Sequence, residues 1–163
     1  MSTRNEIRSY DYVNHPYARV RDAMGEDPTR IFSSATRAAS SRARLVASEL
    51  RVNVGGIEVS TEIDVSVGSI EHRPADSPSG ARTRIPVHWS ASNRPHLFPL
   101  MDAELSLYPL TPTETQLDFL GRYQAPMGML GGAIDAVVGH RIAEASVHRF
   151  VSDVASYLRD ALG

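Results

Sequence analysis

The stretch Glu114-Thr115-Gln116-Leu117-Asp118-Phe119-Leu120-Gly121-Arg122-Tyr123 alternates, and Gln124-Ala125-Pro126-Met127-Gly128-Met129-Leu130-Gly131-Gly132 and a helical run from Ala133 to about Leu162 follow it. A period of two puts Leu117, Phe119, Gly121 and Tyr123 on one face of a strand. The proline and glycines interrupt it, and the apolar spacing of three and four beyond them predicts a long closing helix. A sheet that ends by handing over to one long helix predicts a cavity between helix and sheet.

The same alternation recurs upstream. It runs through Leu50, Val52 and Val54, then Ile63, Val65 and Val67, with Gly55-Gly56 as a tight hairpin turn between them. It returns in Ile85, Val87, Trp89 and Ala91, and again in Met101, Ala103, Leu105 and Leu107. Arg73 to Gly80, Asn93 to Pro95 and Pro109 to Pro112 read as loops or turns. Strands with one apolar face in close succession predict an antiparallel meander covered on one side.

Before the meander, Glu6 to Asn14 reads as a first strand and Tyr17 to Met24 as a short helix ended by Gly25. Asp27-Pro28 is a helix start, a capping carboxylate followed by proline at the first helical position. Ile31, Phe32, Ala35, Ala38, Ala39, Arg42, Leu45 and Val46 then form one stripe on a longer helix. Helices before and after a block of strands define an α+β class.

The chain has 163 residues, 42% of them hydrophobic, which fits one domain spanning 1–163. No apolar run approaches the roughly 18 to 20 residues that cross a membrane, and the polar N-terminus lacks a signal core. A cytoplasmic location is therefore expected. With no cysteine, disulfides, thiolate catalysis and cysteine-bound metals are excluded. All 17 basic residues are arginine, so lysine Schiff bases and the P-loop lysine are excluded as well. This bias is the one expected of a GC-rich coding sequence, and a bacterial source is the expectation. A net charge of -2 argues against nucleic acid as a partner, although residues 1–51 hold nine of the arginines against six acids.

The entry Tyr10-Asp11-Tyr12-Val13-Asn14-His15-Pro16 and the stretch Leu120 to Gly128, with Gly131, Asp135 and Gly139-His140-Arg141 after it, resemble the START-like, or SRPBCC, superfamily. The resemblance covers nearly the whole chain. It implies a helix-grip fold: a curved antiparallel sheet of about six to seven strands around a long C-terminal helix, with two helices after the first strand. It also implies a hydrophobic cavity, which in this superfamily holds lipids, sterols, polyketides or plant hormones. Some members are polyketide cyclases or aromatases. The iron-dependent dioxygenase branch needs a Rieske partner domain, for which this chain is too short.

Alternation puts Val65, Val67, Val87, Trp89, Leu105, Leu107, Phe119 and Tyr123 on the face toward the helix, as the lining of a ligand site. Ile134 and Arg141 join them from the closing helix, Arg141 as the polar group of the cavity. His88 falls on the opposite sheet face. His140, Glu144 and His148 share a helical face, but span about 12 Å of axis, too far for one metal ion, and read as solvated. The apolar stripe of the closing helix changes side between Gly139 and Ser146, which predicts a bend there. Gly128, Gly131 and Gly132 fit no phosphate-binding pattern and serve the turn onto the sheet.

The resulting expectation is a protein that binds a hydrophobic small molecule or lipid, with no cofactor and no metal. The alternatives are a polyketide cyclase or aromatase, and an interaction module with a filled core. No integral membrane association is expected, and a homodimer is left open.

Overall fold

Strand β1 (Glu6–Val13) leads into helices α1 (Tyr17–Glu26) and α2 (Pro28–Glu49). A meander follows, comprising β2 (Ile63–Val67), β3 (Glu71–Arg73), β4 (Arg82–Ala91), β5 (Leu100–Thr111) and β6 (Glu114–Gln124), and α3 (Ala136–Leu162) closes the chain. The computed structural model describes residues 6–49, 63–91, 100–124 and 136–163. The expected strand at 50–54, the Gly55-Gly56 turn, the turn at 93–95, the glycine break at 125–132 and Ile134 lie outside these residues. No described helix is long and apolar enough to cross a membrane.

Among the described residues the sheet has six strands, all pairs antiparallel, in the order β1-β6-β5-β4-β2, with β3 also on β4. Strands β2 and β3 act as one strand broken opposite Pro86. Proline has no N–H to continue the ladder, and the Gly68 N–H donates to the Pro86 carbonyl (2.9 Å) instead. A side chain at Gly68 would start 2.9 Å from Pro86 Cβ, so glycine is needed at this close approach. The short β3, absent from the sequence reading, resumes on the far side of this break.

Two helix and strand ends differ from expectation. α1 runs through Gly25 to Glu26, because the decisive stop is Asp27-Pro28: a residue before proline is driven out of the helical region, and Asp27 is extended (φ -150°). Asp27 then caps α2, its Oδ1 accepting from the Arg30 N–H at 3.1 Å. β5 continues through Pro109 to Thr111 with an irregularity in register, which confines the turn to two residues, Pro112 and Thr113.

Registered pairs arrange the inward residues in rows across the sheet. One row is Val65, Trp89, Met101 and Tyr123; the next is Val67, Val87, Ala103, Gly121 and Ile7; the third is Ile85, Leu105 and Phe119; the fourth is Thr83, Leu107 and Leu117. α3 covers this face with Ile142, Ala143, Ser146, Val147, Phe150, Val151, Val154, Ala155 and Leu158, all buried. Their spacing is one unbroken helical stripe, so from Ile142 onward the closing helix keeps one face to the core. The expected change of side rested on Leu130, Ile134, Val137, Val138 and Ala145; of these side chains only that of Ala145 lies in the described set, and it is half-buried.

The far end of the grip is tied shut. Arg159 donates to Asp11 Oδ1 (2.9 Å) and to the Tyr12 carbonyl (2.6 Å), holding the end of α3 on β1. Tyr17 and His72 both reach the Thr83 hydroxyl, at 2.6 and 3.0 Å, which ties the start of α1 to β4.

Candidate functional site

The aromatic residues expected to line a cavity are packed on one another. Trp89 and Phe119 lie 5.8 Å apart, and Phe150 of α3 stands edge-on to both, at 4.8 and 5.6 Å. Phe32 of α2 stacks on Phe150 at 5.7 Å. Edge-to-face and offset contacts at these separations are the favoured geometries of ring pairs. Val87, Leu105 and Leu107 are buried with them. The middle of the sheet is therefore floored and roofed by side chains, and Phe150 occupies the space that the sequence reading gave to a ligand.

Among the described inward residues from Thr83 to Trp89, Met101 to Leu107 and Thr115 to Tyr123, Ala103 alone retains appreciable accessible surface. It is the cross-strand partner of Gly121. Met101 and Phe119 lean over Gly121: a Cβ there would lie 2.7 Å from the Met101 sulfur and 2.8 Å from Phe119 Cε1. Val65 and Val67, on β2, are half-buried against the same cluster.

Tyr123 marks the rim of this region. It is 5% exposed, and its hydroxyl lies 2.8 Å from His140 Nδ1. His140 Nε2 in turn lies 3.7 Å from Glu144 Oε2, an ion-pair distance rather than a hydrogen bond. Burial pushes the Tyr123 phenol above the ordinary tyrosine range, so it keeps its proton at neutral pH. With neutral imidazole, the phenol donates to Nδ1 and the Nε2–H faces Glu144. With imidazolium, Nδ1–H donates to the phenol oxygen and the positive ring faces the Glu144 carboxylate. The arrangement thus holds a proton in either direction.

Two expectations about α3 are corrected. Arg141 is exposed, not in the cavity. The stripe begins at Ile142, and one residue is a turn of about 100°, enough to carry Arg141 out of the core. His140, read as part of a solvated face, is half-buried against Tyr123. His148 is exposed elsewhere on the helix, and among the described residues no three His, Asp or Glu side chains converge on a metal position. His88 lies on the outer sheet face beside Asp102, as alternation predicts. On α2, Arg42 is exposed and Ala38 only half-buried, so the core stripe is narrower than the sequence spacing suggests.

A strand, two helices, an antiparallel meander and a final helix laid across its inner face are now in place. The chain has the helix-grip fold. Its order of elements is the one that the resemblance of the sequence to the START-like superfamily implies. No family model matches the chain, and no curated protein does. Among solved helix grips, the Zhui aromatase/cyclase from Streptomyces sp. R1128 superposes with a TM-score of 0.47 at 11% identity, over 97% of this chain and 95% of that one. TTHA0849 from Thermus thermophilus gives 0.45 at 14% identity, over 97% and 99%. Ara h 8.0201 gives 0.38 at 8% identity, over 95% and 97%. At such identities the likeness concerns the fold alone.

Proposed function

We infer that this helix grip binds a hydrophobic small molecule at the Tyr123 end of the space between sheet and closing helix. The observation that supports the reading is Ala103: it is inward-facing and still partly accessible, beside Gly121 and one row from the buried Tyr123 phenol. Met101, Val87, Trp89 and Tyr123 are the apolar neighbours of Ala103 in the sheet, and the Tyr123–His140 pair supplies a polar group nearby, the composition usual for small-molecule sites. Binding is tested by native mass spectrometry of protein purified from its own host, followed by extraction of the bound fraction. An apolar molecule that is retained by the wild type and lost in Ala103→Leu, with the variant still folded, supports the reading. Protein that carries no extractable molecule and gains no thermal stability with lipids or aromatic polyketides overturns it.

A second reading is enzymatic. Tyr123, His140 and Glu144 form a line able to move a proton at the rim, which suits a cyclisation or aromatisation step on a polyketide-like substrate. In that reading Tyr123 is the group that meets the substrate, and His140 positions it. Turnover of a confirmed substrate that is unchanged in Tyr123→Phe removes this assignment.

A further inference from the structure

On the side of α3 away from the sheet edge, a groove of about 520 Å³ runs between α2 and α3. It is lined by Ala38, Ser41 and Arg42 of α2 and by Ala145, His148, Arg149 and Ser152 of α3. The two helices also meet through the Phe32–Phe150 and Ser34–Asp153 pairs. The lining of the groove combines the small side chains of Ala38 and Ala145 with the long ones of Arg42 and Arg149. Its charged lining is of one sign only, the guanidiniums of Arg42 and Arg149, with the His148 imidazole beside them, in a chain whose net charge is -2. The adjacent acids are engaged elsewhere: Asp153 accepts from the Ser34 hydroxyl at 3.4 Å, and Glu144 faces His140. Among the described residues neither Arg42 nor Arg149 has a carboxylate within ion-pair distance. By the helical period, Arg141 heads the same column as Ala145, His148 and Ser152, and so extends the positive bank by one turn.

We propose that this groove is a second binding site, separate from the helix-grip interior, for a phosphate-bearing ligand. Guanidinium forks match the oxygens of a phosphate, the serine hydroxyls donate to them, and a phosphate monoester brings nearly two negative charges to a bank that lacks any. The groove is larger than a lone phosphate needs, so the rest of the ligand lies along the small-residue floor. The same chemistry is offered by a free phosphorylated metabolite and by a phospholipid headgroup.

The test uses the full chain, with inorganic pyrophosphate followed by titration calorimetry and phosphatidylcholine vesicles containing phosphatidic acid followed by co-sedimentation. Saturable pyrophosphate binding is expected, weakened about tenfold or more in the Arg42→Gln, Arg149→Gln double variant, as loss of charge-assisted bonds requires. Arg37→Gln, on the same helix but outside the groove lining, is expected to leave it unchanged. Pyrophosphate binding without vesicle binding assigns a free ligand, and vesicle binding that the double variant abolishes assigns a headgroup. Absence of both, or equal weakening by Arg37→Gln and the groove variants, overturns the site.

Discussion

Tyr123 on β6 and His140 on α3 are joined by a 2.8 Å contact between phenol oxygen and Nδ1, and this contact fastens the first turns of the closing helix to the end of the sheet. The bond is half-buried, where a hydrogen bond contributes on the order of 1 kcal/mol. Tyr123→Phe keeps the ring and removes the oxygen, and is expected to lower stability by about that amount in urea unfolding. It also changes the alkaline limb. Burial raises the folded phenol's pKa above its unfolded value. The contribution is therefore fully present below the ordinary tyrosine pKa of about 10 and is lost as pH rises through the folded value. Wild type should lose more stability than Tyr123→Phe between neutral pH and the onset of alkaline unfolding. Parallel curves for the two proteins would contradict this.

Gly121 is held to glycine by contacts rather than by its backbone. A methyl group there would meet the Met101 sulfur at 2.7 Å and the Phe119 ring at 2.8 Å. The methionine is flexible and can withdraw, but Phe119 is fully buried within the ring cluster and cannot. Gly121→Ala is expected to destabilise by about 1–3 kcal/mol, the cost of overpacking a filled core. A lower urea midpoint at unchanged slope is the expected result, and an unchanged midpoint would mean that the ring has room to move.

The sheet was legible because each strand shows one face to water and one to the core, and alternation records that directly: Trp89, Phe119 and Tyr123 point inward as read. The same pattern could not say what roofs them. Phe150 lies in the stripe with Val147, Val151 and Val154, but its stacking on Phe32 depends on how α2 and α3 cross, which no local period encodes. Arg141 and His140 were misplaced for a related reason. A helix phase taken from Leu130 and Ile134 need not carry into a stripe that starts at Ile142, and each residue of error rotates a side chain by about 100°. The Gly68 break was hidden because its cause is a cross-strand neighbour, Pro86, and not the glycine's own surroundings in the chain.

Phe150 touches Phe32, Trp89 and Phe119, and so ties α2, α3 and two strands together at one point. Phe150→Ala is expected to cost about 3–5 kcal/mol, the range for emptying a buried phenyl site. Trp89 is the chain's one tryptophan, so its fluorescence reports the change without labelling. Phe150→Leu, which keeps most of the volume, should preserve the fold while removing the edge-on ring from Trp89. Near-ultraviolet circular dichroism that is insensitive to both substitutions would refute the packing described.

Thr36 offers the opposite sign. It sits on α2 at 2% exposure, and its hydroxyl has no hydrogen-bond partner among the described residues. A buried hydroxyl that lacks a partner forfeits its hydration with nothing in return, a cost of about 1–3 kcal/mol. Valine has nearly the same shape and carries a methyl in place of the oxygen. Its slightly poorer helix propensity scarcely differs from that of threonine. Thr36→Val is therefore expected to raise stability by roughly 1 kcal/mol, read as a higher urea midpoint with the slope unchanged. A loss of stability would show instead that the hydroxyl is satisfied, by a buried water or by the carbonyl one turn earlier, and that α2 depends on it.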